Sequence, residues 1–87
     1  MEKVWSDRAW DDYLWWQRSD RALLRRLNEL IEACERDPFR GVGKPEPLRH
    51  NRHGYWSRRI DAEHRLVYKV QDGQLRIASC RNHYDPL

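Results

Sequence analysis

Arg65-Leu66-Val67-Tyr68-Lys69-Val70-Gln71-Asp72-Gly73-Gln74-Leu75-Arg76-Ile77-Ala78-Ser79-Cys80-Arg81 is the stretch that decides the fold. Leu66, Tyr68 and Val70 alternate with Arg65, Val67 and Lys69, the period of a half-buried strand. Leu75, Ile77 and Ser79 alternate in the same way with Arg76, Ala78 and Cys80. Between the runs stands Asp72-Gly73, suited to a tight primed turn that needs positive φ. A hairpin is therefore expected, with strands over 65–71 and 74–81. Upstream, Gly54 opens a further strand from Tyr55 to Ile60. Asp61-Ala62-Glu63-His64 connects that strand to the hairpin.

The first half reads differently. Lys3-Val4-Trp5 is a short strand, and Ser6 or Asp7 can cap a helix after it by accepting from its unpaired N–H groups. That helix runs to about Arg18, with Trp10, Tyr13, Leu14 and Gln17 spaced to share a face. Ser19-Asp20 breaks the pattern and supplies a second cap. Leu23, Leu24, Leu27, Leu30, Ile31 and Cys34 then form the apolar stripe of a helix reaching about Arg36. Asp37-Pro38 ends it, since proline disfavours helical geometry in the residue before it. Residues 40–53 look irregular, loosened at Gly41 and Gly43 and stiffened by Pro45 and Pro47. The order is β-α-α-β-β-β. The fold class is α+β: two helices laid on a small, mainly antiparallel sheet. One domain over 1–87 is expected, without repeat or linker.

The chain has 87 residues and a formal net charge of +3. Most acids fall in the first 37 residues. Arg40, Lys44, Arg49, Arg52, Arg58, Arg59, Arg65, Lys69, Arg76 and Arg81 make the later half basic, the footprint of a polyanionic partner such as nucleic acid. Cys34 and Cys80 lack metal or redox spacing and read as small buried hydrophobes in a reducing compartment. His50 and His53 have no carboxylate at useful spacing, so neither a metal nor another cofactor is expected. No apolar run approaches the roughly 20 residues that span a bilayer, and Met1-Glu2-Lys3-Val4-Trp5 lacks a signal-peptide segment. A cytoplasmic protein is expected.

RNA can be cut with its own 2′-hydroxyl as nucleophile, given a base, cations for the phosphoryl oxygens and an acid for the leaving 5′-oxygen. Glu46, held between Pro45 and Pro47, is displayed as a positioned base would be; the plainer reading is a solvated loop acid. Arg58, Arg59 and Arg65 flank one short connection and carry the fork that binds phosphate. A simple four-residue loop pairs position 60 with 65, which sends Arg59 and Arg65 to opposite faces. A bulge or a longer loop brings them together. His83 is the candidate acid, because imidazole exchanges protons near neutrality. Tyr84 can stack on a base. Lys44, Arg49 and Arg52 are generic phosphate contacts.

Val4-Trp5-Ser6, Trp10-Asp11-Asp12-Tyr13-Leu14, Asn28-Glu29-Leu30-Ile31, Gly43-Lys44-Pro45-Glu46-Pro47-Leu48, Trp56-Ser57-Arg58-Arg59-Ile60, Glu63-His64-Arg65-Leu66-Val67-Tyr68 and the closing Arg81, His83 and Tyr84 occur in that order. In this the chain resembles the YoeB-type toxins of bacterial toxin–antitoxin systems, within the RelE-like ribonuclease superfamily. The resemblance implies the RelE-like microbial ribonuclease fold and a metal-independent endoribonuclease that cuts mRNA in the A site of a translating ribosome. It implies Glu46 as general base, His83 as general acid and Arg65, assisted by Arg59, as the transition-state clamp. Tyr84 would hold a base, and Lys44 and Arg49 would touch RNA, with Arg58 and Arg81 beside them. It further implies a homodimer and a YefM-like antitoxin that covers the C-terminal residues, the complex repressing its own operator DNA. Arg49 stands where the family commonly has lysine. The chain also runs on past His83-Tyr84 as Asp85-Pro86-Leu87. A module that occupies the ribosome without cutting is the alternative, since a basic surface with exposed rings would serve it equally. A partner that only folds the antitoxin is a third reading.

Overall fold

The computed structural model describes residues 1–49 and 53–82; residues 50–52 and 83–87 lie outside the described residues. The elements are β1 (Glu2–Trp5), α1 (Asp7–Ser19), α2 (Arg21–Arg36), β2 (Glu46–Pro47), β3 (Trp56–Arg59), β4 (Arg65–Gln71) and β5 (Gln74–Ser79). They form one mixed sheet of order β1-β5-β4-β3-β2. β1 runs parallel to β5, and the other neighbours are antiparallel. The hairpin turn is the expected one, with Asp72 at φ 54 and Gly73 at φ 71. β2 was not foreseen. Two residues of the proline-braced loop pair with β3, Glu46 opposite Ser57 and Pro47 opposite Trp56. Proline lacks a donor and is tolerated at such an edge.

Caps fix the helices as their sequence asks. Ser6 Oγ accepts from Ala9 N–H at 3.0 Å and donates to the Ala78 carbonyl at 2.8 Å, so one hydroxyl starts α1 and ties it to β5. Asp20 closes α1 through its N–H and opens α2 through its carboxylate, which accepts from Leu23 N–H. The buried stripe of α1 differs from the spacing-based one. Ala9, Asp12 and Trp16 face inward, whereas Trp10 and Gln17 are exposed. Two polar contacts turn the helix this way. Trp16 Nε1–H donates to the Cys80 carbonyl at 2.7 Å, and Asp12 Oδ2 accepts from Cys80 N–H at 3.0 Å. Burial pushes the Asp12 carboxyl above its ordinary value, against the pull of the Cys80 amide and of Arg8 and Arg81. Trp10 packs instead on the rings of Trp5 and Tyr13.

Leu27, Leu30, Ile31 and Cys34 of α2 meet Leu66, Tyr68, Leu75 and Ile77 of the sheet in a single core. Cys34 and Cys80 are free thiols within it. Burial pushes the Cys34 thiol up to about 11 and the Cys80 thiol higher, as befits inert packing. A bulge interrupts the β4–β5 ladder: Val67 lies opposite Ser79 and Tyr68 opposite Ile77, leaving Ala78 as the extra residue. Plain alternation had put Ser79 with Leu75 and Ile77. The bulge turns Ser79 to the other face and Cys80 into the core.

Candidate functional site

The face of the sheet turned away from the helices carries the candidate residues. Directly opposed residues of neighbouring strands share a face, so the register reads out the layout. Glu46 lies opposite Ser57, Ser57 opposite Val67, and Val67 opposite Ser79, a row running inward from the β2 edge. Ser57, Val67 and Ser79 are buried, so this row forms a low floor. One step along, Arg59 lies directly opposite Arg65. By the geometry of antiparallel pairs, the Cβ atoms of Arg59 and Arg65 stand about 5 Å apart, and Glu46 is the diagonal neighbour of Arg59 at about 7–8 Å.

The Arg59–Arg65 register resolves the alternative left open by the sequence. The connection is longer than Asp61–His64, because Ile60 belongs to it. Ile60 N–H and Asp61 N–H both donate to the His64 carbonyl, at 2.9 and 3.3 Å. Asp61 Oδ1 accepts from Glu63 N–H at 2.9 Å and from His64 N–H at 2.7 Å. Slight desolvation raises the Asp61 carboxyl, but these two amides and the nearby His64 ring hold it below its ordinary value overall. This carboxylate-capped turn absorbs the residue that a tight loop would have left in the ladder. Like charges directly opposite one another cost a sheet roughly 0.2–1 kcal/mol. Among the described residues neither guanidinium is joined to a carboxylate, and an anion placed between them would relieve the repulsion.

Arg58, expected at the RNA surface, is fully buried on the opposite face. Its Nε donates to the Tyr68 hydroxyl at 3.1 Å, Nη1 to the Val42 carbonyl at 3.0 Å, and Nη2 to the carbonyls of Asp37 and Arg40. The Tyr68 hydroxyl in turn donates to the Pro38 carbonyl at 2.6 Å. Burial pushes this hydroxyl up to about 12, so it stays a donor. No edge of Arg58 is left for phosphate. It holds the 37–42 loop instead, the segment that leads into Glu46. Gly43 completes the approach: its carbonyl accepts from Arg59 N–H at 2.7 Å, and a Cβ there would lie 2.7 Å from Leu30 Cδ2.

Lys44 is exposed at φ 52, a left-handed residue between Gly43 and Pro45. Arg49 lines a small depression with Glu46, Pro47 and Leu48. Arg81 does not project freely. Its guanidinium lies 4.0 Å over the Trp15 ring, and its buried Nε has no hydrogen-bond partner among the described residues. His83, Tyr84, Arg52 and the Asp85-Pro86-Leu87 tail lie outside the described residues. What leads to His83 is described: the Asn82 carbonyl accepts from Arg65 N–H at 3.0 Å, so the chain is pinned to Arg65 one residue before it. Ser57 and Asn82 were missed by sequence reading. The alternation of Trp56-Ser57-Arg58-Arg59 was the available signal for Ser57. No pattern signals the Asn82 contact. Among the described residues, no three His, Cys, Asp or Glu side chains gather where they could hold a metal ion, and no helix is long and apolar enough to cross a membrane.

A small α+β domain built as two helices on a mixed sheet, with a cationic pair on the sheet's free face, is the class this arrangement defines. A model of the YoeB-like toxins of bacterial type II toxin–antitoxin systems matches residues 5–84, and the chain belongs to that family. Toxin YoeB of Escherichia coli K12 is 57% identical over 84 residues, covering 97% of this chain and all of the relative. The YoeB/ParE toxin from Agrobacterium tumefaciens superposes with a TM-score of 0.91 at 50% identity, over 97% of this chain and 100% of that one. YoeB from Staphylococcus aureus, solved as a dimer, gives 0.90 at 44% identity, over 97% and 98%. The same toxin has been solved in a heterotetrameric YoeB–YefM complex. The RelE-like fold expected from the sequence is the fold observed.

Proposed function

We propose that this chain is a ribosome-dependent endoribonuclease that cuts mRNA in the A site without a metal. The observation that carries the reading is the register placing Glu46, Arg59 and Arg65 on one face of the sheet. Glu46 removes the 2′-hydroxyl proton, and the 2′-oxygen attacks phosphorus. Arg65, with Arg59 beside it, holds the non-bridging oxygens as charge gathers on them. His83 protonates the 5′-oxygen as its bond to phosphorus breaks, leaving a 2′,3′-cyclic phosphate. Tyr84 stacks on a neighbouring base, and Lys44 and Arg49 hold the strand. The dimer and the YoeB–YefM complex of the S. aureus relative support a homodimer here and a YefM-like antitoxin as partner. That complex would repress operator DNA, and the whole cycle belongs in the cytoplasm.

Primer extension on mRNA in a translating extract tests the assignment. Glu46→Ala and His83→Ala are each expected to lower cleavage about 10²–10⁴-fold, the range for a lost general base or acid. Equal cleavage by both variants and the parent would sink the roles. Translation arrest with intact transcripts would favour an inhibitor that binds without cutting.

A further inference from the structure

His64 sits between Glu63 and Arg65 and has no part in the scheme above. Its ring is nonetheless closely held. The main chain of His64 is fixed on both sides, its N–H by Asp61 Oδ1 and its carbonyl by Ile60 N–H. The imidazole meets the Trp16 ring edge-on at 4.8 Å between centroids and is 12% exposed. Its Nδ1 accepts a hydrogen bond from Asn82 N–H at 2.7 Å. An accepting Nδ1 leaves the ring proton on Nε2, which lies 3.7 Å from Glu63 Oε2.

Asn82 is thus gripped at both ends, its N–H by the His64 ring and its carbonyl by the Arg65 amide. Asn82 is left-handed at φ 64, a conformation asparagine visits more readily than most side-chain-bearing residues, and the two hydrogen bonds hold it there. His83 follows directly in the chain. We propose that His64 is a positioning residue: its Nδ1 sets the backbone turn at Asn82, the residue that precedes His83 in the chain. The inference rests on the preceding section for what His83 does, but the grip itself is a separate claim.

Two substitutions separate packing from hydrogen bonding. His64→Phe keeps a ring against Trp16 and removes the acceptor. His64→Asn offers its side-chain oxygen where Nδ1 stood. By NMR, the Nδ1 nitrogen of the parent should resonate as an unprotonated acceptor, and the Asn82 amide should exchange slowly. That protection should persist in His64→Asn and be lost in His64→Phe. In the translating extract, kcat should fall about 10²-fold in His64→Phe, the effect of a catalytic group misplaced by about 1 Å. KM should stay near the parent value, and His64→Asn should recover most of the rate. A protonated Nδ1 in the parent overturns the inference without any variant. So does parental cleavage by His64→Phe, or failure of His64→Asn to rescue. Should Glu46→Ala and His83→Ala cleave normally, the nuclease roles fall while the Asn82 amide still reports on the grip.

Discussion

Arg58 and Arg59 are adjacent, carry the same group, and face opposite ways. Arg58 is enclosed by the Asp37, Arg40 and Val42 carbonyls and the Tyr68 hydroxyl. Arg59 stands on the far face opposite Arg65. Removing the Arg58 guanidinium leaves several buried acceptors without a donor, each costly. Arg58→Met should therefore lower stability by about 3–5 kcal/mol in denaturant unfolding, and Arg58→Lys should recover only part, because an ammonium cannot reproduce the fork. Arg59→Gln should change stability by less than about 1 kcal/mol, since it also relieves the repulsion with Arg65, yet should lower cleavage. A destabilised Arg59→Gln with an unaffected Arg58→Met would reverse the assignment. The sequence could not separate the pair. Strand alternation says that they face opposite ways, but what Arg58 meets depends on a loop 16 to 21 residues upstream.

The turn between β3 and β4 shows how one element sets the site. Its Asp61 carboxylate takes the Glu63 and His64 amides, and this length of turn brings Arg59 level with Arg65. Asp61→Ala should lose about 1 kcal/mol at neutral pH, as for a lost helix cap, while Asp61→Asn keeps the acceptor. The sign of the pH dependence follows from the lowered carboxyl. A group depressed by folding stabilises above its unfolded value of about 3.9 and loses that contribution as pH falls through its folded value. The stability gap between the parent and Asp61→Ala, followed by thermal melting, should hold from pH 7 down to about pH 4 and close below it. A gap that widens in acid would refute the sign. Asp72-Gly73 was legible because few residue pairs accept two positive φ angles in succession. Asp61-Ala62-Glu63-His64 was not, because a side-chain cap changes loop length without changing residue count. The Ala78 bulge was hidden for a similar reason: nothing in Ile77-Ala78-Ser79 marks the residue that drops out of the ladder.

At the scale of the molecule, apolar and basic surfaces are separated by the sheet. The helices cover one face, and Arg59 and Arg65, with Lys69 and Arg76 further along, occupy the other. The basic bias of the later half was readable from the sequence, and the register shows which of its members share a face. If Lys44, Arg49, Arg59 and Arg65 each contact one phosphate, affinity for a single strand should fall with salt at a logarithmic slope of about −3, taking −0.7 per contact. Anisotropy titrations with an uncleavable 2′-deoxy analogue measure it, and Arg59→Gln should reduce the slope by about 0.7. A slope near zero would remove the face as a phosphate track.

The parallel pairing of β1 with β5 has a kinetic consequence. Glu2 lies opposite Gln74, and the Ser6 hydroxyl that starts α1 reaches Ala78, 72 residues away. The Asp72-Gly73 hairpin can close early, since it fixes few residues, but joining residues so far apart carries the largest loop entropy in the sheet. The same late contacts bring α1 down, and with it the Trp16 and Asp12 groups that seat Cys80. Cys80 stands two residues before the Asn82 turn. A chain that has collapsed but not yet joined its ends would therefore have Arg59 in register with Arg65 before the Asn82 turn is seated.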